Sequence, residues 1–134
     1  FRERLVFAVA SDGIRREPIG MALLVTKGGH LYGRYWGDAR EVEFLHFEAC
    51  YYRPIEWAIA RGIRQFDPGM GGGHKLRRGF RAVANYSLHR FMDPALRQLM
   101  ERHIAAINRI EHEEIAALNQ HLPLRGVKGS AAGR

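Results

Sequence analysis

Two apolar runs separated by Lys27-Gly28-Gly29 constrain this chain most. Pro18 to Thr26, PIGMALLVT, and His30 to Trp36, HLYGRYW, read as strands, and the glycine pair between them is a tight hairpin signal. Arg4 to Ala10, RLVFAVA, reads as a strand ahead of them, with Ser11-Asp12-Gly13 as the turn. The three predict an antiparallel meander. Strict alternation puts Leu31, Gly33 and Tyr35 on one face of the third strand and Tyr32, Arg34 and Trp36 on the other. Gly33 in mid-strand signals a bulge or a close backbone approach.

Gly37 to Phe44 reads as a polar connection. Leu45 to Gly62, LHFEACYYRPIEWAIARG, follows with Phe47, Cys50, Tyr51, Ile55, Ala58 and Ile59 at helical spacing. Pro54 inside that pattern predicts a kink or break near Tyr52-Arg53. Arg61-Gly62 is a helix stop, and Ile63 to Asp67, IRQFD, reads as a short buried strand. Arg81 to Met92, RAVANYSLHRFM, reads as another strand region. Asp93 as N-cap and Pro94 at the first position open a long helix. Its apolar stripe is Leu96, Met100, Ile104, Ile107, Ile110 or Glu111, Ile115 and Leu118. The sum is a mixed α/β domain. It divides into a core over 1–92, a closing helix over 93–120 and a flexible tail over 121–134.

The balance of charge limits the partners. The net charge of the 134 residues is +7, and 18 of the 21 basic residues are arginine. That favours anionic small molecules, with nucleic acid as a rival. The single cysteine, Cys50, excludes an intrachain disulfide and fits a reducing, cytoplasmic setting. No apolar run approaches the roughly 20 residues that span a bilayer. The chain begins at Phe1 and runs almost at once into a strand, so it reads as the carboxy-terminal portion of a longer protein.

Phe66 to Phe80, FDPGMGGGHKLRRGF, is the richest stretch chemically. A phosphate loop needs Gly-Lys followed by Ser or Thr, whereas here His74 separates Gly73 from Lys75 and Leu76 follows. The dinucleotide fingerprint fails too, because its third glycine falls on His74. What remains is a strand exit where Gly71, Gly72 and Gly73 permit close approach. His74, Lys75, Arg77 and Arg78 then supply donors, and from Pro68 to Met92 no acidic residue stands. A helical turn starting here would add free N–H groups to an anion site. The bland alternative is a solvated basic loop.

Other constellations are weaker. His46 and Cys50 stand at i, i+4, but a zinc site needs three or four ligands, so no metal is expected. Glu48 beside His46 serves as a general base only if this turn is irregular. Arg109 to Ile115, RIEHEEI, lacks the second histidine of a zinc-protease motif, since Ala116 occupies its place. With His103, His112 and His121 nine apart, this run reads as a solvated face. Arg34 among the aromatics of HLYGRYW reads as core or rim, with a nucleic-acid stacking platform as the rival.

Three strings, IGMALLVTKGGHLYGRYWG, FLHFEACYYRPIEWAIARG and FDPGMGGGHKLRRGF, together resemble the FemAB-like peptidoglycan biosynthesis/recognition group. That group belongs to the acyl-CoA N-acyltransferase (GNAT) superfamily. The resemblance runs from about Arg4 to Met92. It implies a partial GNAT-like α+β domain without its amino-terminal helices, with HLYGRYW and IRQFD as the splayed strand pair that holds the acyl donor. The implied activity is acyl or aminoacyl transfer to an amine, with acyl-CoA or aminoacyl-tRNA as donor. Members using acetyl-CoA carry a glycine loop before the central helix; here that place reads GDAREVEFLHFEAC, which favours aminoacyl-tRNA. Lys75 matches the lysine that contacts the transferring carbonyl. Arg77 and Arg78 would hold phosphates, and Glu48, His46 and His74 are the candidate bases. Arg34, Tyr51, Gly71, Gly72 and Gly73 complete the expected donor and substrate surface. The alternative within the same family is a non-catalytic module that binds an anionic glycan or a nucleotide-sugar precursor. The closing helix packs either on its own sheet or on a second copy as a homo-oligomer.

Overall fold

The computed structural model describes residues 1–123. The chain forms two compact units, Phe1–Gly71 and Gly72–Arg134. The tail expected over 121–134 lies outside the described residues from 124 onward.

The first unit is a four-stranded sheet with one helical layer. After a 3-10 turn at Arg2–Arg4 come β1 (Leu5–Ser11), β2 (Pro18–Lys27) and β3 (His30–Asp38). Next are α1 (Leu45–Phe47), a π-helical turn (Glu48–Tyr52), α2 (Arg53–Ala60) and β4 (Gln65–Asp67). The strand order is β1-β2-β3-β4. The first two pairings are antiparallel and β3 with β4 is parallel. The expected meander is therefore present. Gly28 and Gly29 take φ of 57° and 77° between the paired Lys27 and His30. Positive φ at both turn positions matches the twist of the flanking strands, and glycine adopts it without steric cost.

The expected alternation of β3 breaks at Arg34. Leu24 pairs with Gly33 and Leu23 with Tyr35, so Arg34 is one residue too many. Such a bulge reverses the facing of everything after it. Trp36, not Tyr35, therefore joins Leu31 on the helix side and packs on the core, while Tyr35 is 76% exposed. Gly33 signals this bulge, but Arg34 is the residue that carries it.

Ala22, Leu24 and Leu31 from the sheet meet Ala49 and Ala58 from the helical layer in the core. Three alanines let the layers approach closely, and Val6, Trp57 and Phe66 seal the margins. Gly20 belongs to the same fit, since a Cβ there would stand 2.6 Å from Cη2 of Trp36.

The helical layer accommodates Pro54 by widening, not by breaking. Proline lacks an N–H, and its ring crowds the carbonyl four residues back. The turn Glu48–Tyr52 takes the longer π spacing, and Pro54 sits in the first turn of α2, buried. At the other end Gly62 has φ 65°, and the amides of Gly62 and Ile63 reach back to the carbonyls of Ile59 and Ala58. That pair of bonds terminates a helix through a left-handed glycine. The next amide, Arg64, donates to the Gly29 carbonyl at 3.0 Å and lays β4 beside β3.

In the second unit, α3 (Gly73–Leu76) is one short turn and α4 (Pro94–Gln120) is the long helix. Gly79, with φ 86°, closes α3 by the same terminator, with Gly79 and Phe80 donating to Leu76 and Lys75. The expected strand over Arg81–Met92 is not formed: the segment joins no ladder. Its sequence alternates as a strand does, but strand structure needs a partner as well as a pattern. Its anchor is instead Asn119, whose amide accepts from the Ala82 N–H and donates to the Ala82 carbonyl, both at 2.9 Å. The helix start is as expected, with Asp93 Oδ1 accepting from the Leu96 amide at 2.9 Å.

Candidate functional site

The parallel ladder between β3 and β4 has only three pairs, His30–Gln65, Leu31–Phe66 and Tyr32–Asp67. Beyond it β3 continues with β2 to Asp38, whereas β4 ends. The parting is fixed locally. The Asp67 carboxylate accepts from the Gly69 amide at 2.8 Å, which turns the chain. Pro68 then lies on Gly33, where a Cβ would stand 3.3–3.4 Å from its backbone atoms. The close approach expected at Gly33 is thus present, made by Pro68 just past the end of β4.

Within the first unit, His46 sits in a group of rings. Trp36, Phe47 and Tyr51 have centroids 5.6, 5.4 and 5.5 Å from its own, with Trp36 and Tyr51 edge-on. Aromatic pairs favour this geometry. Tyr51 is buried, at 3% exposure. Trp36 and Phe47 were not among the sequence candidates, and Trp36 reaches His46 only because of the Arg34 bulge. Glu48 points elsewhere: its carboxylate lies 3.1 Å from Arg53 Nε, and Arg53 also bonds Glu56 at 3.0 Å. All three are well exposed, so these pairs add little stability. Arg34 lies over the Tyr32 ring at 5.7 Å, and His30 stacks on that ring from the other side in sequence at 6.0 Å. Beneath Arg53 and Glu56, a cavity of about 400 Å³ opens between β1 and α2, walled by Val6, Ala8, Leu24 and Trp57.

Within the second unit, His74, Lys75, Arg77 and Arg78 stand on and just after α3. The turn is helical, and the Lys75 amide and those that follow it from Arg78 are engaged. Lys75 N–H donates to the Gly72 carbonyl and Arg78 N–H to that of Lys75. Of the side chains, Arg77 is exposed, and His74, Lys75 and Arg78 are half-buried. Arg78 Nη1 holds the His74 carbonyl at 2.8 Å. The His74 ring rests on Gly72, where a Cβ would fall 2.5 Å from Cε1 and where φ is 91°. Gly71, the last residue of the first unit, has positive φ, 74°. Burial, then the charges of Lys75, Arg78 and Arg77, hold His74 below the usual histidine range. At neutral pH it is thus an uncharged imidazole among cations, able to accept a proton.

Among the described residues, no three of His, Cys, Asp and Glu come together as metal ligands. His46 and Cys50 remain at most a pair, and His103, His112 and Glu113 are exposed on α4. Among the same residues no helix is long and apolar enough to cross a membrane.

The model of the FemAB-like family, described as peptidoglycan biosynthesis/recognition, matches residues 1–126. No curated protein and no solved structure matches the chain.

Proposed function

Because this chain belongs to the FemAB-like family of peptidoglycan biosynthesis/recognition proteins, we propose that it transfers an acyl or aminoacyl group to an amine of a cell-wall precursor. The observation that supports this reading is the short parallel β3–β4 ladder, which ends at Asp67 while β3 runs on with β2, with Pro68 against Gly33 just past its end. In a GNAT-like sheet the acyl donor occupies the split between such strands. Its source is acyl-CoA or aminoacyl-tRNA in the cytoplasm, and the lack of a glycine loop before α1 favours the second.

The chemistry needs three things. A neutral amine attacks the carbonyl carbon of a thioester or ester, so a base must take its proton. Charge gathers on the carbonyl oxygen in the tetrahedral intermediate, so a donor must meet it. The intermediate then collapses, the C–S or C–O bond breaks, and the thiol or hydroxyl leaves with a proton. Lys75 is assigned to the carbonyl oxygen and His74 to the proton, because its lowered basicity keeps it neutral. Arg77 and Arg78 are assigned to phosphates of donor or acceptor.

The test is transfer of label from acyl-CoA or aminoacyl-tRNA to a panel of amines, with Lys75→Ala beside the parent chain. Loss of one oxyanion donor lowers turnover about 100- to 1,000-fold. No transfer to any amine from either donor overturns the reading. Binding of a nucleotide-sugar precursor without turnover, kept in Lys75→Ala and lost in Arg77→Ala/Arg78→Ala, would establish the recognition role that the family description also names.

A further inference from the structure

Helix α4 carries an apolar stripe that its own unit covers at one end only. Leu96, Leu99, Ile104, Ile107 and Ile110 are 39–57% exposed. Ile115, Leu118 and Asn119 are half-buried near the Asn119–Ala82 bonds. Twenty-seven helical residues span about 40 Å, and a stripe of this length is stable when something covers it.

The charges on the stripe say what fits. At 100° per residue, the row centred on Ile107 holds Leu96, Met100, His103 and Ile104 in the first half, with Arg97 at its border. In the second half it holds Ile110, Glu111, Glu114, Ile115 and Leu118. The first half carries a histidine with an arginine at its border, and the second carries two glutamates. Ile107 is also the midpoint of Pro94–Gln120. Turning a second α4 about that midpoint sets Ile104 opposite Ile110 and His103 opposite Glu111, on the stretch that the unit leaves open. Glu114 then falls within a turn of Arg97. Parallel pairing would instead stack Glu111 on Glu111 and Glu114 on Glu114, which repel.

We propose that α4 is a dimerisation surface for a second copy of this chain, paired antiparallel about Ile107. The arrangement is isologous, so each contact occurs twice. The inference does not rest on the acyl-transfer reading.

Sedimentation equilibrium of the full chain tests it, with helix content followed by circular dichroism. The parent chain sediments as a dimer. Ile107→Glu sediments as a monomer with its helix content kept, because Ile107 is solvent-accessible within the unit. His103→Glu weakens the dimer on the order of tenfold by setting like charges opposite each other. Adding Glu111→Lys to His103→Glu restores it. A parent chain that stays monomeric over the accessible concentrations overturns the proposal. So does a dimer that survives Ile107→Glu, or a double variant no tighter than His103→Glu alone.

Discussion

Gly33 and Pro68 meet backbone to backbone. A Cβ on Gly33 would lie 3.3 Å from the Pro68 carbonyl oxygen and 3.4 Å from its Cα. This contact lies just past the end of β4 and holds the chain against β3 there.

Gly33→Val therefore destabilises the first unit by about 1–3 kcal/mol through overpacking, measured by urea unfolding. Gly37→Ala in the same strand is the control. Nothing lies within 4 Å of its Cβ position, so its midpoint shifts far less. Equal shifts would mean that the contact with Pro68 is unimportant.

Gly20→Ala drives a Cβ to 2.6 Å from the Trp36 indole. The indole must rotate, and it carries one edge of the ring group around His46. The expected cost is again about 1–3 kcal/mol. Near-ultraviolet circular dichroism should report the moved tryptophan while the far-ultraviolet spectrum stays unchanged.

Asn119→Ala removes both bonds to Ala82. Each is worth about 0.5–1.5 kcal/mol net. Hydrogen exchange at the Ala82 amide should accelerate, along with that of its neighbours to about Ala84. Asn119→Asp keeps the acceptor and loses the donor, and should fall between the two.

His74 titrates below the usual histidine range in the folded chain. The unfolded chain takes up that proton first as pH falls, so His74 makes the fold less stable on going down through the ordinary histidine range. The loss is complete once the folded imidazole is also protonated. His74→Gln should flatten this part of the stability–pH curve. By NMR titration, Lys75→Met should raise the His74 pKa more than Arg77→Met does, following the order of their effects. If His74 is the base, the acid limb of the transfer rate lies below that of an ordinary histidine.

Much of each unit was legible in the sequence where its signals are local. The Gly28-Gly29 turn, the left-handed stop at Gly62 and the Asp93 cap each need only a few neighbouring residues. The basic surface at His74, Lys75, Arg77 and Arg78 was legible for the same reason. The misses depend on partners distant in sequence. Whether Arg81–Met92 joins a sheet is decided by the availability of an edge, not by its own alternation. Trp36 was misplaced because a bulge is a relation between two strands, and the sequence of β3 does not say which residue β2 will skip. The widened turn at Glu48–Tyr52 lay between these cases: Pro54 announced a disturbance, but packing on the sheet selected a swelling over a bend.

The surplus residue at Arg34 gives β3 a tolerance for the loss of one residue. Its two last aromatics, Tyr35 and Trp36, are told apart by register and not by chemistry. Deleting Arg34 would restore simple alternation and still leave the indole inward and Tyr35 outside, because both keep their partners Ala22 and Leu23. Substitutions at Arg34 leave that order intact. A relative lacking this one residue would carry the same ring beside the same histidine, with a regular strand in place of the bulge.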